Sequence, residues 1–392
     1  MGKHVLILTT THEFLGKFEQ DNVKILQHMG YTVHYASNMR EPHYVNDWER
    51  IKNMGVLAHH IEIARSPFLF RENKRALHQL LGLIKTYKIQ LLHCHTPVGG
   101  VLGRLAGRLY REENLVVIYT AHGFHFYKGA PLLNWMAYYP VERWLARYTD
   151  ILIVINQEDF ERARHFRLKK GGCLYRIPGV GLNVRAYAPL SGEERQRRRR
   201  KLGIGEEDFF LVSVGELNEN KNHQVVLEAL AKLKGKGQGR RIRYGICGDG
   251  FFRDRLREQV QRLGLSGQVT LYGYCPRISV ILGCADASVF PSRREGLGMA
   301  GLESLAMGVP VVAADNRGTR EYMRNGKNGV VCRYDDVDGF ARGMLYIMDM
   351  EEQEREQMRQ ECVDTVRPFQ KRKVRDRMCK IYVCADQKVQ EK

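Results

Sequence analysis

The chain has 392 residues, with 62 Lys and Arg against 44 Asp and Glu, a formal charge of +18. That length predicts about two domains, and the apolar and charged fractions, 44% and 27%, are those of a globular protein. No stretch approaches the eighteen or so uninterrupted apolar residues of a spanning helix. The run Val5–Thr9 is too short for a signal peptide and lacks a small-residue cleavage site, so the expected location is the cytoplasm.

The first element is "KHVLILTT" (Lys3–Thr10), an apolar run followed by a helical segment and then "GYTVHYAS", a βαβ unit. Further strands are expected at Ile89–His95, Leu115–His122 and Asp150–Asn156, with a helix over Gly99–Tyr110. Strands alternating with helices predict a parallel sheet covered on both faces. The pattern weakens at "IPGVGLNVRAYAP", a candidate hinge with Pro178, Gly179, Gly181 and Pro189. The run Arg195–Lys201 reads as a solvated linker or helix face, with contact to an anionic membrane as the sharper alternative.

The pattern then restarts. Strands are expected at "FFLVSVGEL", "IRYGICGDG", "QVTLYGY", "ASVFPS" and "VPVVAAD". The fold class is therefore α/β, two Rossmann-like domains facing across a cleft, with ligands at the carboxyl ends of the strands. The expected domains are 1–185, joined by a C-terminal helix 368–392 that packs back on it, and 190–367. The tail after Asp336 reads as an amphipathic surface helix. "DVD" (Asp336–Asp338) has the look of a metal-binding D-x-D but sits in a polar loop with no sugar-site context, and reads as a decoy. Nine dispersed cysteines without a C-x-x-C pair predict reduced thiols and no zinc site.

The most informative stretch is "PSRREGLGMAGLESLAMGVPVVAAD", in which seven residues separate Glu295 from Glu303. Met299–Met307 has helical composition, and Gly308 and Pro310 follow where a helix ends. Gly296 and Gly298 then precede a helix N-terminus, where bare backbone and the helix dipole favour a diphosphate. Glu303 lies on that helix, within reach of a ribose, as in dinucleotide folds. Glu295, ahead of it, can accept hydrogen bonds from sugar hydroxyls. A capped helix with solvated glutamates fits the same spacing.

The E-x7-E stretch resembles the signature of retaining family-4 glycosyltransferases with the GT-B fold. "VGELNENKNHQVVLEAL" is similar to the family's start of its second domain, and by that resemblance Lys221 binds the donor diphosphate, with Asn222 beside it. "GDG", with Gly250, resembles the family's glycine turn near the nucleotide. "YGYCPRISVILGCADASVFPS", with Tyr274, resembles the segment flanking the base. "HTPVGGVLGRLAGR" and "YTAHGFHFYKGAPLLNWMAYYPVERWLARYTDILIVINQED" are similar to a narrower branch, bacterial exopolysaccharide or capsule glycosyltransferases. The resemblance implies that His122 contacts the donor sugar near the reaction centre. One departure stands out: the position that is often arginine in the family is Glu216, so Arg293 or Arg294 is a candidate substitute cation, or Glu216 holds Lys221 or Asn222.

The resemblance implies transfer of a sugar from a UDP-hexose or UDP-N-acetylhexosamine to a polyprenyl-diphosphate-linked saccharide, with retention and without metal or other cofactor. Lys221 and the amides of Gly296, Leu297, Gly298 and Met299 would stabilise the departing diphosphate. Gly16, His95, Thr96 and His125 are expected on the acceptor side; an N-cap at Thr96 ahead of Pro97 is an equally open reading. The aromatic and basic stretch Tyr127, Lys128, Trp135, Tyr138, Tyr139 and Trp144 reads either as an anchor at an anionic membrane, on the inner face of the plasma membrane, or as a core helix. The rival functions are a nucleotide-sugar 2-epimerase, a catalytically dead partner subunit, and a basic nucleic-acid binder. The last lacks any zinc finger, RNP motif or basic heptad region, so no nucleic-acid partner is expected.

Overall fold

A computed structural model describes residues 2–40, 48–110, 115–234 and 241–391. The chain divides into two compact units, one formed by residues 1–181 and 372–392 and the other by 182–371.

The first unit is built on seven parallel strands: β1 (Lys3–Thr11), β2 (Tyr31–Asn38), β3 (Leu57–His60), β4 (Leu91–His95), β5 (Val116–Ala121), β6 (Ile151–Val154) and β7 (Cys173–Arg176). Their order is β3-β2-β1-β4-β5-β6-β7. Every residue of β4, β5 and β6 is buried, as expected of central strands covered on both faces. Helix Pro97–Leu109 packs on them with one cation inside, Arg104. It donates to both Glu142 carboxylate oxygens at 2.6 and 3.1 Å and lies 4.1 Å from the Tyr119 ring centre. A buried guanidinium is tolerable only with such complete pairing.

The last helix, Lys371–Gln390, belongs to this unit from residue 372 onward. Its Val374, Met378, Ile381, Tyr382 and Ala385 are buried at helical spacing. Asp386 accepts from the Lys3 ammonium at 2.8 Å and the Tyr31 hydroxyl at 2.7 Å, pinning the helix to the edges of β1 and β2.

The second unit has six parallel strands: β8 (Phe209–Val214), β9 (Ile242–Cys247), β10 (Val269–Gly273), β11 (Ala287–Phe290), β12 (Val311–Ala314) and β13 (Gly329–Cys332), ordered β10-β9-β8-β11-β12-β13. The tail is not one surface helix. It is three, Val337–Met348, Glu352–Thr365 and Lys371–Gln390. The first buries Phe340, Met344, Ile347 and Met348 and is part of the core. The second starts where the Glu351 amide donates to Glu354, and Pro368 in the following 3-10 turn precedes the third. Asp336 accepts from the Gly339 amide and so caps the first of these helices, while Asp338 pairs with Lys232 at 2.6 Å. The D-x-D is thus used structurally.

The basic run is a solvated helix face only in part: Gln196, Arg197, Arg200 and Lys201 are exposed, but Arg195 and Arg199 turn inward. It forms helix Gly192–Lys201, in which Arg199 is buried. Arg195 and Arg199 both reach Asp286, at 2.7 and 3.0 Å, and Arg199 further donates to the carbonyls of Gly205, Asp208 and Cys284. Burial alone would raise the Asp286 carboxyl, but the two guanidiniums and the Phe210 amide outweigh it and hold the group below the usual range. Removing the carboxylate strands a buried cation, so Asp286→Ala should cost the second unit about 3–5 kcal/mol in urea unfolding at neutral pH. Because the folded value is depressed, the stabilisation is full above about pH 4 and fades as pH falls through that value. An Asp286→Ala protein as stable as wild type at pH 7 would refute this account.

Candidate active site

In each sheet the strand order turns back beside the first strand, at β1/β4 and at β8/β11. The loops leaving the carboxyl ends of these strands diverge and open a crevice, the usual ligand position in such sheets. The sequence-predicted residues fall on these loops.

In the second unit, β8 leads into residues 215–222 and β11 into 291–298. The two loops are stitched together by three hydrogen bonds: Arg293 amide to Asn220 carbonyl at 2.8 Å, Asn220 side chain to Arg294 carbonyl at 3.0 Å, and Asn222 side chain to Pro291 carbonyl at 3.3 Å. Asn222 also donates to the Tyr334 carbonyl and has φ +54. Across this seam the Lys221 ammonium meets the Glu295 carboxylate at 2.5 Å, over the Phe290 ring. The Arg317 guanidinium donates to the Glu295 carbonyl at 3.2 Å.

Gly298 is the N-cap of helix Met299–Ala306, with φ +86. A Cβ there would lie 2.7 Å from the Phe290 ring, so both backbone and space demand glycine. The Gly298 carbonyl accepts from the Tyr322 hydroxyl. Leu297 is buried, while Gly296, Met299 and Arg294 are half-buried. Arg293 is spent on Glu219 at 2.6 Å, whereas among the described residues the Arg294 guanidinium makes no ion pair.

Glu303, one turn into the helix, is hydrogen-bonded by Tyr187. Burial lifts its carboxyl to about 7, with the Tyr187 contact pulling the other way. The glycine turn 248–250 packs on the β8 loop: the Leu217 amide donates to the Asp249 carbonyl, and a Cβ on Gly248 would lie 1.8 Å from the Gly215 oxygen. Gly250 lies against Leu217 in the same way. Glu216 is exposed on that loop, and Tyr274 is exposed just past β10.

In the first unit, His95 ends β4 and His122 follows β5; Nδ1 of His95 is 3.2 Å from Nε2 of His122. Beneath them lies Glu19, buried, its carboxylate 3.4 Å from His95 Nε2 and accepting from Asn22 at 2.6 Å. His93, two residues back on the same face of β4, is held by the Tyr382 hydroxyl at 2.8 Å and Thr120 at 2.9 Å. Burial lowers His122 to about 4 and His93 to about 3, and sets His95 well below its ordinary value. The imidazoles are therefore neutral, and burial raises Glu19 to about 7. Ligand atoms of Glu19, His93 and His95 lie within 4.8 Å of one another, a spacing open to a metal. Both nitrogens of His93 already have hydrogen-bond partners, so the set fits a hydrogen-bonded network better than a coordination site.

Thr96 does not cap the helix that follows. Its φ of +63 turns the side chain to Thr10, 2.5 Å away, and no side-chain cap bond forms. Strain of this kind in a β-branched residue concentrates at functional positions. His125 stacks on Tyr138 with centroids 4.6 Å apart. Gly16 is buried in a single π-turn, Leu15–Glu19, rather than in an open loop. The aromatic stretch mostly points inward: Trp135 and Tyr139 pack on Phe126, and Arg162 covers Trp135. Leu132, Leu133 and Met136 of the same helix are the most exposed of its large apolar residues, and Val141 and Trp144 are exposed to a lesser degree.

Sequence reasoning missed Glu19, Tyr187 and Arg317. Alternation in "LLHCH", which puts His93 and His95 on one face, was the one available signal toward the buried network.

Two family models match the chain, "Glycosyl transferase 4-like" over residues 4–156 and "Glycosyl transferases group 1" over 194–362. The putative glycosyltransferase EpsD of Bacillus subtilis (strain 168) is 43% identical over 343 residues, 87% of this chain and 86% of that one. A UDP-Gal:alpha-D-GlcNAc-diphosphoundecaprenol alpha-1,3-galactosyltransferase of Escherichia coli is 26% identical over 279 residues, 71% of each. Among solved structures, Anabaena Alr3699/HepE with UDP and glucose superposes with a TM-score of 0.77 at 15% identity, covering 97% of this chain and all of that one. WaaG, a glycosyltransferase of lipopolysaccharide biosynthesis, gives 0.70 at 15%, covering 96% and 99%. The fold is GT-B. The chain belongs to the family-4 glycosyltransferases and is a glycosyltransferase similar to those of bacterial exopolysaccharide synthesis.

Glu19 carries a pH signature. Its folded value lies above that of a free carboxyl, so its stabilisation is full below about pH 4 and is lost as pH rises through about 7. Glu19→Gln stays neutral throughout. Between about pH 5 and pH 9 it should gain roughly 3 kcal/mol on wild type in unfolding of the first unit. Parallel pH profiles for the two proteins would show that Glu19 is not buried as a protonated acid.

Proposed function

We propose that the enzyme moves a hexose or N-acetylhexosamine from a UDP-sugar to a saccharide carried on polyprenyl diphosphate, with retention of anomeric configuration. The observation that carries the donor half is the Lys221–Glu295 pair set beside the Gly298 helix start. An ammonium has three donors, so Lys221 can keep Glu295 and still reach a diphosphate oxygen. The negative charge that develops on the leaving diphosphate then falls on Lys221, on the Gly296–Met299 backbone and on Arg294, which stands in for the arginine that Glu216 replaces. Glu295 accepts from hydroxyls of the transferred sugar while fixing Lys221, and Glu303 accepts from the ribose. Tyr274 stacks the base, and Asn222 and Gly250 shape the loops beneath. The charge stabilisation assigned to these groups calls on no metal or cofactor.

Departure of the diphosphate leaves an oxocarbenium-like centre. Front-side attack by the acceptor hydroxyl, its proton passing to the diphosphate oxygen, gives retention without a protein nucleophile. His122 accompanies this centre as a neutral imidazole, oriented through His95. With His95, Thr96, His125 and Gly16 it forms the acceptor side. A lipid-linked acceptor is supported by the similarity to the E. coli enzyme, whose name gives a diphosphoundecaprenol-linked sugar, and by the charge of +18, which suits peripheral attachment to an anionic inner membrane face. Among the described residues no helix is long and apolar enough to cross a membrane.

Lys221→Ala and Glu295→Ala should each cut transfer from a radiolabelled UDP-sugar to a polyprenyl-diphosphate-linked sugar at least about a hundredfold; near-normal rates in both would refute the donor site. Release of epimerised free donor without acceptor would point to an epimerase. A second test uses UDP-glucose, whose diphosphate diester does not titrate near neutrality. Its affinity should fall as pH drops below about 7, as Glu303 gains a proton and loses an acceptor site. Tyr187→Phe removes a contact that lowers Glu303, so the midpoint should move to higher pH. A midpoint that stays put in Tyr187→Phe would remove Glu303 from the ribose site.

A further inference from the structure

The first unit contains a cavity of about 640 Å³ that the donor chemistry does not use, running between residues 67 and 142. One end is polar, with Thr96, His122 and His125. The remainder is walled by side chains such as Leu77, Val98, Val101, Leu102, Leu105 and Val141. Its one carboxylate, Glu142, is neutralised by Arg104 within the fold, and its one ammonium, Lys74, stands exposed at the rim.

The rim is as apolar as the interior. Phe68 and Phe70 are 71% and 74% exposed, and one turn ahead of the lining residue Ala137, Leu132, Leu133 and Met136 are 74–80% exposed. Large side chains of this kind grouped on a surface mark an interaction site. Arg71 and Lys74, both exposed, add positive charge to the same edge.

We propose that this cavity takes the isoprenoid chain of the acceptor's lipid carrier, the units next to its diphosphate, and that the exposed rim sits where the chain leaves the bilayer. The inference rests on the lipid-linked acceptor proposed above. Three features select this occupant. His122, the residue assigned to the reaction centre, lines this apolar cavity, so a chain lying in it brings its sugar end within reach of that residue. The interior offers contact to hydrocarbon and no unpaired charge. The basic edge, Arg71 and Lys74, matches the anionic headgroups where the chain leaves the bilayer. Hydrocarbon burial supplies affinity quickly: about two methylenes are worth a factor of ten.

Binding of farnesyl diphosphate and of inorganic diphosphate to the full chain, with saturating UDP occupying the donor site, tests the assignment without requiring turnover. Farnesyl diphosphate should bind at least about tenfold more tightly, since several methylenes are buried. Ala137→Trp, at an exposed lining position where bulk costs little folding energy, should abolish that preference and leave UDP affinity and the thermal transition unchanged. Val101→Trp, at a half-buried lining position on another helix, should likewise abolish that preference. Equal affinity for the two ligands in wild type, or a preference that survives both substitutions, overturns the inference. It is also overturned if the substitutions weaken attachment to anionic phospholipid vesicles but not farnesyl diphosphate binding, because the cavity then serves bilayer lipid. Absence of sugar transfer to any lipid diphosphate, with the chain preference intact, would instead sink the functional reading alone.

Discussion

Parallel strands put all their carboxyl ends on one edge of a sheet, and a reversal of strand order pulls two of the following loops apart. In this chain both reversals fall beside the strand that opens each unit, β1 and β8. Everything chemical hangs on those two places. In the second unit these loops are 215–222 and 291–298; the strand ends fix their roots, and hydrogen bonds of Asn220 with Arg293 and Arg294 and of Asn222 with Pro291 tie the two together. Only then can a lysine on one loop and a glutamate on the other meet at 2.5 Å. Neither loop could hold its charge in register alone, because a lysine carries roughly 2 kcal/mol of rotamer entropy that a fixed partner must offset.

Two polar clusters, one in each unit, are built in opposite ways. The second keeps its groups ionised in pairs, Lys221 with Glu295 and Arg199 with Asp286. The first holds His93, His95 and His122 neutral and raises the Glu19 carboxyl to about 7, all through burial. A charged donor leaving group calls for fixed positive charge. Neutral imidazoles suit a site that borders an apolar cavity, since a charge buried there would carry an uncompensated desolvation cost. The raised value of Glu19 and the lowered values of His95 and His122 share one cause, burial, and need no separate explanations.

Much of this was readable in the sequence, and the unread part has a common physical origin. The strands that apolar runs announce are β1, β2, β4, β5 and β6 in the first sheet, and β8 to β12 in the second. The three passed over, β3, β7 and β13, all lie at sheet edges. Each has four residues and is only partly covered, so it lacks the continuous apolar run by which a central strand is recognised. Gly298 and Gly308 were legible because turn geometry leaves few alternatives to glycine. Arg199 was not, because a run of four arginines looks like a solvated face unless the buried acid it meets, 87 residues away, is known. Tyr187 and Arg317 escaped for the same reason: each acts through one long-range contact that leaves no periodicity behind.

The aromatic helix after the His122 loop shows how composition and placement separate. Its tryptophans and tyrosines suggest an interfacial belt, yet Trp135 and Tyr139 pack on Phe126 and Phe166, and Tyr138 supports His125. The most exposed apolar side chains are Leu132, Leu133 and Met136, with Val141 and Trp144 less so. Aromatic rings suit a headgroup layer because one end is polar, whereas aliphatic side chains prefer hydrocarbon. For the membrane contact proposed above, the arrangement therefore suits a depth below headgroup level. It also assigns the aromatics a different task, that of a rigid wall which holds the His122–His125 loop between the sheet and the cavity.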